Sequence, residues 1–351
     1  MAVIDVKQQT SVALYYLHQV AEIMRTQGCS IERWLAAEDL CEADLMRNDC
    51  KISLAAYQRL ILSAVTQSRL PHLGLLLGAQ LSINHHGALG FALLNCGNVA
   101  QILSLFERYL ITRTPLFSVE VKRESETTQI RLHSMLIDEQ ILRPLTEVLV
   151  ATLTSIINGV AFNRESAMAQ QLDCRDRVIT CIDFSYSPPN YATRYEALLQ
   201  QKCVFVQPYT CIHLANHWLN KPLRHIDPQS LQQAKEFCER ERINALVHIN
   251  WQTKVLIQVI ATSAQYPDLN AIAAKLNVTP RTLHRHLLRE GTSFKQIVEH
   301  AFCSLAQQYL QQHSSTIKQV AYQLGYSDVA NFRRAFKRWT GQTPQQFLQH
   351  L

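Results

Sequence analysis

Two copies of one helical pattern occupy the last quarter of the chain and constrain its fold more than any other feature. The first copy reads DLNAIAAKLNVTPRTLHRHL, and the second reads TIKQVAYQLGYSDVANFRRAFKRWTG. Ile272 and Val320 stand 48 residues apart, whereas Leu287 and Phe336 stand 49 apart. Apolar residues that recur at i, i+3, i+4 and i+7 predict amphipathic helices. The repeat therefore predicts one two-helix unit occurring twice, with one extra residue in the second copy.

Each predicted unit has a turn followed by a helix whose start is marked in the sequence. Asn277 lies in the first turn, and Thr279 is predicted to cap the next helix, with Pro280 at its first position, where no N–H is needed. In the second unit Gly325 predicts a tight turn and Ser327 is predicted to be the cap. The extra residue is therefore expected just after this second cap.

In each predicted unit, the second helix has an outward face that is polar and cationic. A helix with such a face and an apolar stripe behind it suits the major groove of DNA, and two of them can read segments about 34 Å apart. An ordinary helical bundle with a solvated basic face is the alternative, but two such units in tandem favour DNA recognition. The predicted DNA-contacting residues are Arg281, Thr282, His284, Arg285, Asn331, Arg333, Arg334, Lys337 and Arg338.

The positive charge of the chain is confined to this region. The 351 residues carry 34 Lys and Arg and 28 Asp and Glu, a net charge of +6. Residues 261–351 contain ten basic and four acidic residues, which is also +6, so the first 260 residues are neutral. A basic excess at one end of the chain predicts the polyanion-binding surface there.

Composition excludes several other classes of protein. The length suits two domains. The ten cysteines show no zinc-finger spacing, so we expect reduced thiols in a cytoplasmic protein and no bound metal. No apolar run long enough to span a bilayer is evident, so no membrane association is expected. No nucleotide-binding glycine loop, nucleophile elbow or zinc-protease motif occurs, and we predict neither a cofactor nor catalytic residues.

The region before the repeat is predicted to be α+β. Helices are expected over 11–27, 31–37, 53–67, 70–81, 99–109, 142–160 and 192–199, and strands over 116–123, 127–133, 178–184 and 203–206. Residues 82–86 are expected to form a loop. Helices over 229–243 and 249–262 connect this region to the repeat, which gives domains at 1–222 and 266–351 with a helical connection at 223–265.

Four residues of the N-terminal region are candidates for contact with a small molecule. His85 and His86 are adjacent on the expected loop, where they point in opposite directions, so joint metal ligation is not expected. Arg108 and Arg113 could anchor a carboxylate through paired N–H donors, which suits an amino acid or a fatty acid. A solvated loop histidine and a surface salt bridge are the respective alternatives.

The C-terminal stretch resembles the AraC/XylS family of transcription regulators. The matching segments are VTPRTLHRHLLREGTSF, LAQQYL and VAYQLGYSDVANFRRAFKRWTGQTPQQF. The resemblance implies a tandem helix-turn-helix domain with a linking helix between its units. Phe302 departs from the family pattern, in which an Arg is usual at this position, and this weighs against a phosphate contact there.

The N-terminal region is similar to the arabinose-binding-like effector domain of one branch of the same family, to which ornithine-utilisation regulators belong. The similar segments are LGLLLGAQLSINHHGALGFALLNC, VAQILSLFERYL and IDFSYSPPN. The resemblance implies a small-molecule effector, promoter DNA and RNA polymerase as partners, and a homodimer formed through this domain.

These observations predict a sequence-specific transcription regulator. Its tandem helix-turn-helix domain at 266–351, here called the DNA reader, is expected to change its position relative to the N-terminal domain when an effector binds. An architectural, non-specific DNA-binding protein is the first alternative. An enzyme with its catalytic site in residues 1–220 is the second, and no nucleophile or metal constellation supports it.

Overall fold

Two separate hydrophobic cores divide the chain. The computed structural model describes residues 11–14, 16–47, 50–134, 139–162, 177–223, 227–260, 267–311 and 316–349. The first core collects buried side chains from Val12 to Cys238, and the second collects those from Val255 to Phe336. The predicted fold class is confirmed, because the first region combines helices with a sheet and the second consists of helices and connecting turns over its described residues.

A five-stranded sheet forms part of the first core. Its strands lie in the order β3-β4-β7-β5-β6, and all neighbours are antiparallel except β5 and β6. The strands are β3 (Phe117–Arg123), β4 (Thr127–Ser134), β5 (Ile179–Asp183), β6 (Cys203–Val204) and β7 (Thr210–Ala215). The four predicted strands of this sheet are confirmed. The central strand β7 was not predicted. Its Ile212 and Leu214 are two residues apart, lie on the same face of the strand and are fully buried.

The predicted helix from residue 11 is wrong at its start. Ser11–Ala13 forms strand β1, which pairs antiparallel with β2 (Lys51–Ser53), and the helix begins only at Leu17. Helical spacing alone could not show this, because a strand of three residues depends on a partner that lies far along the chain.

Nine helices and three short 3-10 turns complete the described part of the first region. The 3-10 turns are Ile83–His86, Leu110–Thr112 and Asn216–Trp218, so the predicted loop at 82–86 is a turn of helix. The helices are α1 (Leu17–Thr26), α2 (Ile31–Ala36), α3 (Glu42–Leu45), α4 (Leu54–Ser68), α5 (Leu73–Gln80), α6 (Gly87–Leu94), α7 (Val99–Tyr109), α8 (Glu139–Phe162) and α9 (Thr193–Leu199).

Helix α8 is the central apolar helix of this region. Its segment Glu139–Ala161 is long and apolar enough to cross a membrane by length and composition, which the sequence analysis did not anticipate. Most of the segment is buried inside the protein. It packs tightly on α5, where a Cβ added at Gly78 would lie 2.5 Å from the Val148 carbonyl oxygen. This packing accounts for the apolar composition.

Two helices join the first region to the second. Helix α10 (Pro228–His248) is capped by Asp227 and buries Leu231, Ala234 and Cys238 in the first core. Helix α11 (Trp251–Ile260) instead buries Val255, Leu256, Val259 and Ile260 in the second core, as its apolar spacing predicted. The predicted connection at 223–265 is thus shared between the two cores.

The second core is built by two copies of a helix pair around a long central helix. The central helix α14 buries Phe302, which is 4% exposed, so this departure from the family pattern packs in the core. The helices are α12 (Leu269–Lys275), α13 (Pro280–Arg289), α14 (Phe294–Gln311), α15 (Ile317–Gln323), α16 (Val329–Thr340) and α17 (Pro344–Gln349).

Candidate nucleic-acid interface and effector cavity

The starts of α13 and α16 are fixed by side-chain caps. The Thr279 hydroxyl accepts a hydrogen bond from the Thr282 N–H at 3.2 Å, as predicted. The second cap is Asp328, whose carboxylate accepts from the Ala330 N–H at 3.0 Å, so the prediction of Ser327 is wrong. The carboxylate is the better partner at the positive end of a helix. The extra residue of the second unit therefore lies in its turn, before the cap.

The turn before α16 needs glycine for its backbone. Gly325 has a φ of +76°, in the left-handed region where a side chain is disfavoured. In the first unit Asn277 takes the same region with a φ of +55°. Asn is among the few residues with a side chain that tolerate this conformation.

The predicted DNA-contacting side chains lie on the outer faces of α13 and α16. Each second helix turns two apolar residues inward, Leu283 and Leu287 on α13 and Phe332 and Phe336 on α16. Thr282 is half-buried beside its cap. The remaining eight are exposed, namely Arg281, His284, Arg285, Asn331, Arg333, Arg334, Lys337 and Arg338.

Two of these cations have partners within the DNA reader. Arg334 donates to the Asn331 side-chain oxygen at 2.6 Å, which holds both groups at the surface of α16. Arg338 donates to Glu299 of α14 at 2.8 Å and so ties α16 to the linking helix. Arg285 is the residue of α13 that is equivalent to Arg334, at a spacing of 49 residues.

His286, on α13, packs against a neighbouring helix and does not face outward. Its ring stacks on Trp251 at a centroid separation of 4.3 Å and an interplanar angle of 13°. Glu290, just beyond α13, accepts from the Trp251 and Gln252 N–H groups at 2.8 and 2.9 Å. The C-terminal end of α13 is therefore joined to the start of α11. Trp339 similarly packs edge-on to Tyr326 rather than facing outward as a stacking residue.

A cavity lies inside the N-terminal core. The cavity is partly open to solvent and is lined by α1, α4, α5, α7, α8 and the start of β3. Its walls are hydrocarbon, and Leu77, Phe106 and Leu149 are representative. Among the described residues that line it, Arg113 is the formally charged one and no carboxylate occurs. Such a cavity suits a ligand with an apolar body.

The polar end of the cavity is formed by Tyr16, His86 and Arg113. The Tyr16 hydroxyl is 2.9 Å from His86 Nδ1, while His86 Nε2 is buried with no hydrogen-bond partner among the described residues. Burial, with the neighbouring Arg113 cation, lowers the pKa of His86 to about 4, so its ring is neutral at pH 7. The Arg113 side chain is 7% exposed and donates to Glu241 of α10.

The other sequence candidates lie elsewhere. His86 is buried, which corrects the expectation of a solvated loop histidine, whereas His85 is exposed and its Nδ1 accepts from the Ser82 N–H at 3.0 Å. Arg108 is 60% exposed and pairs with Glu239 of α10 at 3.1 Å. Neither His85 nor Arg108 lines the cavity.

Sequence analysis missed Tyr16 and Glu241. Tyr16 precedes α1 in a segment that was expected to be helical, so nothing placed its hydroxyl beside His86. Glu241 belongs to a run of alternating charges on α10, which is typical of a solvated helix face. Only the packing of α10 on the first core could show its partner.

A cluster of metal-ligand types on the sheet was also not anticipated. Single donor atoms of Cys181, Asp183 and His213 lie within 4.8 Å of one another on β5 and β7. His213 Nε2 is 2.7 Å from Asp183 Oδ2, and burial raises the pKa of the Cys181 thiol, which keeps it protonated. The hydrogen bond between His213 and Asp183 accounts for this arrangement.

Similar proteins connect both halves of the chain to one family. Residues 28–223 match the family model of the arabinose-binding N-terminal domain of AraC transcription regulators, and residues 272–350 match a helix-turn-helix domain model. The chain is 27% identical over 338 residues to the ornithine utilization regulator of Pseudomonas aeruginosa, and this alignment covers 96% of each of the two chains. It is 28% identical to the regulator VqsM of that organism over 282 residues, 78% of this chain and 82% of the relative.

Among solved structures, the transcriptional regulator CdpR of Pseudomonas aeruginosa aligns with a TM-score of 0.46 and 21% identity. The alignment covers 95% of this chain and 98% of CdpR. The first family model alone spans more than half of this chain, and the second spans the tandem helix pairs described above. The chain therefore belongs to the AraC family of transcription regulators and joins an N-terminal effector-binding domain to a helix-turn-helix DNA-binding domain.

Proposed function

We propose that this regulator responds to an anion with an apolar body, of which a fatty acid is the simplest example. The observation that carries the proposal is a hydrocarbon-walled cavity whose lining, over the part of the chain that the structure describes, contains one cation, Arg113, and no carboxylate. Burying a hydrocarbon chain is favourable by about 0.8 kcal/mol per CH₂ group, which supplies affinity without polar contacts. A guanidinium at one end then orients the anionic head group.

The neutral His86 ring supports the same head-group position. When Tyr16 donates its hydroxyl proton to Nδ1, the ring proton is on Nε2, and this buried N–H needs an acceptor. A carboxylate oxygen supplies one. Leaving such a polar atom unpaired costs about 1–3 kcal/mol, so an anionic ligand satisfies a donor that is otherwise unsatisfied.

An amino acid effector, which the name of the ornithine utilization regulator suggests for that relative, fits this cavity less well. Ornithine carries two ammonium groups, and each would need an acceptor or a carboxylate on burial. The lining residues within the described ranges include neither an Asp nor a Glu. The cavity therefore favours the fatty acid over the amino acid.

We further propose that Arg285 and Arg334 read base edges from equivalent positions on α13 and α16, and that the other exposed polar residues of these helices contact bases and phosphates. Binding of both helices at once makes the second contact intramolecular and raises the affinity for a site with two half-sites.

Further partners complete the proposal. RNA polymerase is the expected partner at the promoter, and binding would take place in the cytoplasm on the nucleoid. A homodimer formed by the N-terminal domain is supported by exposed apolar side chains on adjoining helices, Phe91 and Leu94 on α6 and Phe237 on α10. Sedimentation of the full-length protein tests the dimer, and a monomer at micromolar concentration would exclude this surface as a stable interface.

Selection of genomic fragments by the purified full-length protein at physiological salt tests the DNA assignment. We expect an enriched motif with two half-sites about one helical turn apart. Arg285→Ala should weaken binding to that motif by about 1–3 kcal/mol and relax the preference at one base. Arg123→Ala removes an exposed cation from β3 and serves as the charge-matched control. Recovery of unrelated fragments would support the architectural alternative.

Equilibrium binding of dodecanoate and of dodecanol, both below their aggregation limits, tests the effector class. The two molecules share the apolar chain and differ in the charge of the head group. Wild-type protein should bind dodecanoate more tightly, and Arg113→Met should remove this difference while leaving dodecanol binding in place. Equal binding of the two compounds by the wild type would contradict an anionic head-group site.

A further inference from the structure

Arg113 stands where the cavity meets the helix that leads to the DNA reader. It follows the 3-10 turn Leu110–Thr112, lines the cavity, and donates through Nη2 to Glu241 Oε2 of α10 at 2.5 Å. Its Nη1 lies 3.2 Å from where a Cβ at Gly87 would be, so glycine leaves room for the guanidinium. One cation thus faces both the ligand space and α10.

The two partners of this cation differ in their access to water. Glu241 is 31% exposed, whereas Arg113 is 7% exposed. A carboxylate that leaves Arg113 for solvent regains its hydration, and a carboxylate delivered on a buried apolar chain does not have that option. Separating Glu241 from Arg113 therefore costs less free energy than separating a buried effector carboxylate from it. Once an effector carboxylate is bound, Arg113 is expected to keep the effector and release Glu241.

The part of α10 beyond Cys238 depends on such ion pairs. Leu231, Ala234 and Cys238 hold the first part of the helix in the core, while Ile243, farther along, is 49% exposed. Within this later part, Glu239 pairs with Arg108 and Glu241 pairs with Arg113. Loss of the second pair therefore removes one of the two ion pairs that join this later part of α10 to Arg108 and Arg113 of the effector domain.

The end of α10 is directly connected to a DNA-reading helix. Helix α10 ends at His248, and α11 begins at Trp251. Trp251 stacks on His286 of α13, and Glu290 accepts hydrogen bonds from the first N–H groups of α11. A displacement of the end of α10 therefore reaches α13 through a junction of two residues, Ile249 and Asn250.

We propose that the effector carboxylate displaces Glu241 from Arg113, and that the released end of α10 changes the position of α13 through Trp251 and His286. The proposal rests on the anionic effector class proposed above and adds the regulatory step. Glu241 acts as an internal competitor of the effector, so apo protein and effector-bound protein hold α10 differently. Effector affinity and DNA affinity are then coupled through one ion pair.

Glu241→Gln and the matched control Glu239→Gln test this step in the full-length protein. Both substitutions remove one negative charge from α10, but Glu239 pairs with Arg108, which lies outside the cavity. We expect Glu241→Gln to bind dodecanoate at least about fivefold more tightly than wild type, with dodecanol binding unchanged. Glu239→Gln should leave both affinities unchanged. Glu241→Ala serves as a second variant, and thermal melting of each variant confirms folding.

The DNA readout separates the regulatory step from a change in ligand affinity alone. Without dodecanoate, Glu241→Gln should bind the selected DNA motif with the affinity that wild type shows when saturated with dodecanoate. Equal dodecanoate affinity in wild type, Glu241→Gln and Glu241→Ala would overturn the competition while leaving the effector class intact. Tighter dodecanoate binding with unchanged DNA affinity would overturn the route through α11. Absence of dodecanoate binding in every variant would overturn the effector class and the competition with it.

Discussion

The ring of Trp251 stacks on that of His286 with their centroids 4.3 Å apart, and this contact joins the helix that enters the DNA reader to its first reading helix. The ammonium group of Lys254 also contacts this ring, with Nζ 4.4 Å from the Trp251 ring centroid. Helix α11 is therefore part of the DNA-binding module and packs directly on α13.

Removal of the carboxylate that caps α11 should loosen this junction. Glu290 accepts from the Trp251 and Gln252 N–H groups, which an α-helix leaves without internal partners. We expect Glu290→Ala to lower the free energy of unfolding of the DNA-binding module by about 1–2 kcal/mol. Glu290→Gln keeps one acceptor oxygen and should lose less. Urea unfolding followed by circular dichroism measures both, and an equal loss in the two variants would argue against a role of the charge.

The position of the second cap can be tested by three alanine substitutions. Thr279→Ala and Asp328→Ala should each lower the free energy of unfolding by about 1 kcal/mol, because each leaves a helix N-terminal N–H without its partner. Ser327→Ala, one residue before the second cap, should be nearly neutral. Thermal unfolding of the three variants compares them directly. If Ser327→Ala were the more damaging change, the cap would be at the position first predicted from the sequence.

The close packing of α5 on α8 makes opposite predictions for two glycines. A Cβ at Gly78 would lie 2.6 Å from the Ala151 Cβ, so Gly78→Ala should destabilise the effector domain by about 1–3 kcal/mol. Gly159, on α8, has no neighbouring atom within 4 Å of such a Cβ. Gly159→Ala should stabilise the domain by about 0.5–1 kcal/mol, because alanine is the better helix former. The urea midpoints should move in opposite directions, and a parallel shift would contradict the packing.

Glu147 should make the stability of the effector domain depend on pH. This carboxyl is fully buried on α8 and accepts from Tyr195 at 2.5 Å and from Tyr191 at 2.8 Å. Burial raises its pKa from 4.5 to about 7. The folded state therefore binds the proton more tightly than the unfolded state, and stability is lost as the pH rises from about 4.5 through about 7.

Glu147→Gln removes this titration while keeping an acceptor oxygen for the tyrosines. The free energy of unfolding of the wild type relative to Glu147→Gln should fall by about 3 kcal/mol between pH 4.5 and pH 8, since one pKa unit corresponds to about 1.4 kcal/mol. Urea unfolding at several pH values gives this difference. A constant difference across the range would show that Glu147 titrates near its ordinary pKa.

The DNA reader could be largely predicted from the sequence. Its helices are amphipathic, their caps and turns are local, and the repeat shows the same pattern twice, so the apolar positions Leu287 and Phe336 are both buried as the pattern predicted. The error at Ser327 arose because two neighbouring residues both favour an N-cap, and the choice of Asp328 depends on where the chain leaves the preceding turn.

The sequence by itself determined the local structure: the helix periodicity, the two helix-turn-helix units, the confinement of net charge to the last quarter, and hence the family. Tertiary structure alone decided what depends on residues far apart in the chain. The pairing of β1 with β2, the central place of β7, the burial of His86 beside Tyr16, and the contact between Arg113 and Glu241 are of this kind. A local sequence pattern determines which secondary structure a segment prefers. The contacts named above form only when packing brings distant side chains together and removes them from water.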